Sequence, residues 1–140
     1  MREILFRGKR LDNGEWAYGY VLIDNAPCAL KSAGKCKRDH NGSRSAIYSW
    51  NDDLREYEEL EVDPATIGQY TGLKDKNGKR IFEGDIIEHK RIGKRFSVRF
   101  DNDSARFILD GIPYNYDFTE LTDLQLCVIG NIYDNPELLE

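Results

Sequence analysis

The pair Asn13-Gly14 separates two stretches, "EILFRGKRL" and "EWAYGYVLI", in which large and small side chains alternate. An Asn-Gly between two extended runs is the strongest short hairpin signal, because a type I′ turn needs positive φ at both central residues. The same device recurs at Asn77-Gly78, between "TIGQYTG" and "KRIF". Two such turns confine the chain to folds built from antiparallel hairpins. After the first turn, Trp16, Tyr18, Tyr20 and Leu22 alternate with Ala17, Gly19 and Val21. One face of that strand carries large side chains. The other is small enough for a neighbouring strand to approach closely.

Period-2 patterns continue through "GDIIEHKR", "FSVRFDN", "ARFILDG" and "LCVIGNIYD", which read as further strands, with Gly111-Ile112-Pro113 breaking the chain after the third. Helical signals are sparse. "SWNDDLREYEEL" offers Ser49 or Asn51 as an N-cap, acids in the first turn, and Leu54, Tyr57 and Leu60 at threefold spacing, so two or three turns are expected there. "TELTDLQ" suggests one more turn. The polar run 32–44, "SAGKCKRDHNGSR", reads as a long surface loop.

The chain also resembles itself at an offset of 64 residues. Gly8 falls on Gly72, Asn13 on Asn77, Gly14 on Gly78, Phe6 on Tyr70 and Tyr18 on Phe82. Two readings account for this. Either two related β subdomains, about 1–64 and 65–140, share a core, or two Asn-Gly hairpins share turn chemistry by physics alone.

The 140 residues suit one domain, or two small subdomains. A 40% hydrophobic and 32% charged composition is that of a globular chain with enough apolar volume for a core. No apolar run approaches the roughly 20 residues that span a bilayer, and "MREILFRGKR" has no secretory h-region. No membrane association is expected. Cys28, Cys36 and Cys127 show no framework spacing, which points to a reducing cytoplasm.

Most catalytic and cofactor readings fail on spacing. A P-loop needs four residues between its glycines, then Gly-Lys-Ser/Thr, whereas Gly72 and Gly78 enclose five and Lys79 is followed by Arg80. Cys28, Cys36 and His40 do not have zinc spacing, so no metal or other cofactor is expected. Cys36 with His40 is a weak nucleophile–base pair. Carboxylates abound, and chance pairs with them. Asp85 has a structural reading: Gly84 permits a tight corner, and the Asp85 carboxylate accepts nearby backbone N–H groups before Ile86 and Ile87 enter the core.

The net charge of −5 opposes wholesale nucleic-acid binding, but the charge is segregated. Basic residues cluster in 31–44, including Lys35, Lys37 and Arg38, and in 90–99, with Lys90, Arg91, Lys94, Arg95 and Arg99. Seven acids against Arg55 fill 47–63. In "HKRIGKRFSVRF" the bases interleave with Phe96 and Phe100, a pattern that can track phosphates and stack bases. Strand alternation instead puts Phe96, Val98 and Phe100 on one face, as core, and Arg95, Ser97 and Arg99 on the other.

Three blocks, "REILFRGKRLDNGEWAYGY", "IGQYTGLKDKNGKRIFEGDII" and "VIGNIYDNPELL", together resemble the YopX family of phage and prophage proteins. Leu5 stands where a basic residue is common. The resemblance implies a mainly-β, barrel-containing fold and a mobile-element setting in a bacterial cytoplasm; the Gly84-Asp85 corner is of the kind that opens strands in SH3-like barrels. It implies no activity and no catalytic residues. Its repeated positions are those read above as structural: Asn13, Gly14, Gly72, Asn77, Gly78, Gly84 and Asp85, with Gly130, Asn131 and Pro136 in the tail. That tail fits a last strand through Tyr133 that ends before Pro136.

The resulting expectation is a mainly-β protein of SH3-like or related barrel type, with one or two short helices. It acts without catalysis as a binding module for a host or phage protein. Trp16, Tyr18 and Tyr20, together with an open sheet edge, are the candidate protein-binding elements, and could equally join copies of this chain. Barrel core is the competing placement for those rings. Nucleic-acid binding through 31–44 and 90–99 is the alternative function, and an enzyme the third.

Overall fold

The computed structural model describes residues 3–24, 44–111, 115–118 and 125–140. Lys35, Lys37, Arg38, Cys28, Cys36 and His40 lie outside the described residues, as do Ile112, Pro113 and most of the suggested helical turn from Thr119. The described chain is mainly β, in antiparallel sheets, and divides into two compact units, Leu5–Ile67 and Met1–Ile4 with Gly68–Glu140.

Among the described residues of the unit Leu5–Ile67 the strands are β1 (Phe6–Lys9), β2 (Trp16–Asp24), β3 (Arg44–Asn51) and β4 (Glu56–Glu61). β2 changes partner along its length. Trp16 to Gly19 pair with β1, and Tyr20 to Asp24 pair with β3. The switch falls at Gly19, where a Cβ would lie 1.8 Å from the Tyr48 carbonyl oxygen. Only glycine lets the strands approach this closely, so the small face of β2 serves the purpose its sequence suggests. The sheet curls until its outer strands meet. Arg10 bridges Val62, Leu11 N–H donates to Glu61 O at 3.0 Å, and Asp63 N–H donates to Lys9 O at 2.8 Å. A 3-10 turn, Pro64–Thr66, locks this closure. The Asp63 carboxylate accepts from Ala65 N–H, and Thr66 Oγ1 accepts from Lys9 N–H at 2.8 Å. Inside lie Ala17, Ile47 and Val62, flanked by Phe6, Val21, Leu60 and Ile67.

In the other unit, β5 (Gly68–Lys74) pairs with β6 (Arg80–Phe82). A five-stranded sheet follows, built from β7 (Asp85–His89), β8 (Lys94–Asp101), β9 (Arg106–Asp110), β10 (Tyr116–Asp117) and β11 (Leu126–Asn131), in the order β10-β9-β8-β7-β11. Its apolar face carries Ile87, Phe96, Val98, Leu109 and Leu126, against which Ile81 of β6 and Phe118 pack. β11 ends at Asn131, two residues before the expected end, and the chain closes with a 3-10 turn, Pro136–Leu139.

Two local expectations are corrected. Residues 49–60 form no helix; they are the end of β3, a turn and β4. Capping chemistry and turn chemistry coincide here. The Asn51 side-chain oxygen, Oδ1, accepts from Asp53 and Leu54 N–H, as an N-cap would, but in a hairpin turn. Nor is the Asn13-Gly14 turn type I′, because only Gly14 of the pair has positive φ, at 71°. The loop is four residues long, closed by Arg10 N–H to Glu15 O and by Gly14 N–H to Arg10 O. Three more hairpins use the same device. Between Asn51 and Glu56, His89 and Lys94, and Asp101 and Arg106, the fourth loop residue is left-handed: Arg55 (φ 52°), Gly93 (67°) and Ala105 (54°). A left-handed L-residue costs about 1–2 kcal/mol. Ala105→Gly is therefore expected to stabilise the protein by about 1 kcal/mol, read as a higher urea midpoint.

Candidate binding face

The register of the first unit sorts its side chains cleanly. Residues opposite one another share a face, so Trp16, Tyr18, Tyr20, Tyr48, Trp50 and Tyr57 all point away from the Ala17–Ile47–Val62 core. The outer face of this curled sheet is thus an aromatic surface. Tyr18 is 45% exposed, Tyr20 57%, Trp50 51% and Tyr57 53%. Exposed rings in this number are uncommon on a protein surface, which ordinarily scatters its apolar groups singly.

The rings touch. Trp50 and Tyr57 meet edge-to-face with centroids 5.1 Å apart, and Tyr57 lies 6.3 Å from Tyr20 at a tilt of 50°. The Trp50 indole N–H donates to Asp52 Oδ1 at 2.8 Å. At the β1 border the character changes. The Arg7 guanidinium stacks 4.4 Å from the Trp16 ring centroid, and the Lys9 ammonium lies 5.6 Å from it. At the β4 border, acids take over. Glu59 faces Tyr48 and Glu61 faces Ala46 across the β3–β4 pair.

Of the three candidate protein-binding rings, Tyr18 and Tyr20 lie open on this face, and Trp16 is half-buried beneath its cations. The helical expectation for 49–60 hides Trp50 and Tyr57, and Tyr48 just before it belongs to the same face. A signal was present in "SAIYSWN", where Ala46, Tyr48 and Trp50 alternate with Ile47 and Ser49 at period 2.

Three of the five cations of the basic segment 90–99 are paired with acids. Glu88 receives Lys90 Nζ at 2.8 Å and Arg95 Nε at 3.2 Å, and these two cations hold its carboxyl below the usual range. Arg95 also donates to the Leu138 carbonyl. Arg99 pairs with Asp110 at 3.1 Å. Arg91 and Lys94 have no acidic partner among the described residues. Phe96 and Val98 are buried and Arg95 and Arg99 exposed, as alternation along the strand requires, but Phe100, expected in the core with them, is 36% exposed towards the strand end.

Several polar residues of the unit with Gly68–Glu140 bond to backbone at its turns. Asp85 is buried and accepts Phe82 N–H at 2.8 Å, and Gly84 turns the corner at φ 85° with the Tyr133 ring against it. Asn131 accepts from Tyr133 and Asp134 N–H, shaping the turn before Pro136, and Gly130 leaves room for the Asn135 side chain. In the β5–β6 turn, which Asn77 and Gly78 form, Asp75 does more than its sequence position announced. Its carboxylate accepts from Asn77 and Lys79 N–H at 2.9 Å each and from Val128 N–H at 3.0 Å. Gly72, at φ 90°, lies where the β5–β6 register shifts. Among the described residues no three His, Cys, Asp or Glu side chains come together to hold a metal, and no helix is long and apolar enough to cross a membrane.

A mainly-β chain of two antiparallel units, one presenting an aromatic sheet face, is the class that the fold and this geometry define. Comparison with protein-family models matches residues 6–140 to the family described as YopX protein. The chain belongs to the YopX family. It is similar throughout its length to a solved structure, the crystal structure of protein EF1440 from Enterococcus faecalis, with 25% identity, 100% of each chain covered and a TM-score of 0.52. Comparison with curated proteins finds no match.

Proposed function

We propose that this protein is a non-catalytic binding module of a phage or prophage, acting in the bacterial cytoplasm on a host or phage protein. The observation that carries this reading is the contiguous, exposed array Tyr20–Trp50–Tyr57. Aromatic side chains bury much area for little lost entropy, and they anchor the centres of protein interfaces. The nucleic-acid alternative is weakened by the pairing of Lys90, Arg95 and Arg99 with acids.

The test is affinity capture from bacterial lysate with the wild type and with a Tyr20→Thr, Trp50→Thr, Tyr57→Thr variant. The three rings are about half exposed and touch across the strands, so each substitution is expected to cost about 1 kcal/mol, and a cooperative urea transition checks that the variant is folded. A partner held by the wild type and lost by the variant supports the reading. The same proteins captured by both would sink it. Random-sequence DNA or RNA binding that falls steeply with salt, and vanishes when Lys90, Arg91, Lys94 and Arg95 become Glu, would favour nucleic acid instead.

A further inference from the structure

We propose that the Tyr20–Trp50–Tyr57 cluster receives an extended, Lys/Arg-rich segment of its protein partner, whose cations lie over the rings. This rests on the reading of the face as a binding surface and adds the chemistry of what it binds. The first argument is charge complementarity. Between Ser45 and Asp63 stand Asp52, Asp53, Glu56, Glu58, Glu59, Glu61 and Asp63, against the single base Arg55. Of these, Glu61 shares the aromatic face and Asp52 touches the Trp50 indole, while Glu56 and Glu58 alternate onto the opposite face. Such a border attracts cations and repels phosphates and carboxylates.

The second argument is the arrangement of the rings. Trp50 and Tyr57 stand at 72° to one another and Tyr20 and Tyr57 at 50°. Rings at such angles offer several π-faces to one region of solvent, which is what an alkylammonium or guanidinium group requires. The third argument lies on the same face. At its β1 border the chain already places Arg7 and Lys9 over Trp16. Among the described residues no cation lies over Tyr20, Trp50 or Tyr57. One border of the face is thus served by the chain's own cations, and the other presents rings and acids.

The experiment uses the whole chain and three dye-labelled probes: an Arg-Gly repeat peptide, a Glu-Gly repeat peptide and oligothymidine. Fluorescence anisotropy is read at low and physiological salt. The expected result is binding of the Arg-Gly peptide alone, weakened about tenfold by Trp50→Thr or Tyr57→Thr, which corresponds to the loss of one or two cation–π contacts. Tyr57→Phe, which keeps a ring, is expected to retain most of the affinity. Equal binding by the wild type and Trp50→Thr would mean diffuse attraction to an acidic protein and would overturn the proposal. Binding of the acidic peptide or of oligothymidine that Trp50→Thr abolishes would overturn the basic chemistry and keep the face. Failure of every probe, while face-dependent capture from lysate persists, would also remove the basic chemistry alone. Failure of both experiments would remove the binding-face reading as well.

Discussion

Gly19→Ala is expected to cost more than about 4 kcal/mol, a large share of the roughly 5–15 kcal/mol that holds a domain folded. The added Cβ would lie 1.8 Å from the Tyr48 carbonyl oxygen and 2.8 Å from its carbon. Both are backbone atoms of β3, so no side chain can swing aside. Either β2 or β3 must move by about an ångström, and the pairs Tyr20↔Tyr48 and Val21↔Ile47 lie next to the displacement. The measurement is a urea unfolding curve with near-ultraviolet circular dichroism of the tryptophans. A loss under about 1 kcal/mol would mean that the strands are further apart than described. Gly14→Ala is the control. Gly14 also has positive φ, but nothing lies within 4 Å of its Cβ position, so only the left-handed strain of about 1–2 kcal/mol applies.

The second large effect is expected at Asp75. Asp75→Ala removes the acceptor of three backbone N–H groups at once, those of Asn77, Lys79 and Val128. Hydrogen bonds to charged acceptors contribute about 1.5–3 kcal/mol each, and their donors partly recover water, so a total loss of about 3–4 kcal/mol is expected. Asp75→Asn keeps one acceptor oxygen and should lose about half as much. The pH dependence separates charge from shape. Burial pushes the Asp75 carboxyl up, but the backbone donors of Val128, Lys79 and Asn77 together pull it further down, leaving it below its ordinary 3.8. A depressed carboxylate stabilises the fold fully above the ordinary value and loses that contribution as pH falls through the folded value. The wild type should therefore lose stability below about pH 4 more steeply than Asp75→Asn. Parallel acid limbs for the two proteins would refute this assignment.

Sequence reading reached much of the architecture through local chemistry. The two Asn-Gly loops mark β1–β2 and β5–β6, and the Gly84-Asp85 corner sits where a buried carboxylate meets backbone N–H groups. It missed what is decided by partners distant in sequence. Asp75 reads as one acid among many, because its third donor, Val128, lies 53 residues away. The β3–β4 hairpin was mistaken for a helix, because Asn51 caps a turn with the same bonds that cap a helix. The turn type was misjudged because Asn-Gly suits the last two places of a four-residue loop as well as a two-residue one. Trp50 and Tyr57, two of the six rings of the aromatic face, were lost with that helix. The basic segment 90–99 looked like a phosphate track because its counter-charges, Glu88 and Asp110, sit on neighbouring strands.

The repeat at an offset of 64 gains a concrete form. Both copies are antiparallel hairpins, but Phe6 pairs with Gly19 while Tyr70 pairs with Phe82, so the registers differ by one residue. The loops differ accordingly: four residues between Arg10 and Glu15, three between Asp75 and Lys79. Shared turn residues here do not enforce shared pairing.

The bonds joining Lys9 to Asp63 and Thr66 mean that the chain enters and leaves the unit Leu5–Ile67 through one doorway. In sequence this unit interrupts the other, which consists of Met1–Ile4 and Gly68–Glu140. A segment with stitched ends behaves as a cassette. Ends that lie together are the condition under which a segment can be inserted into another chain. The aromatic surface would travel with it as a single heritable parcel.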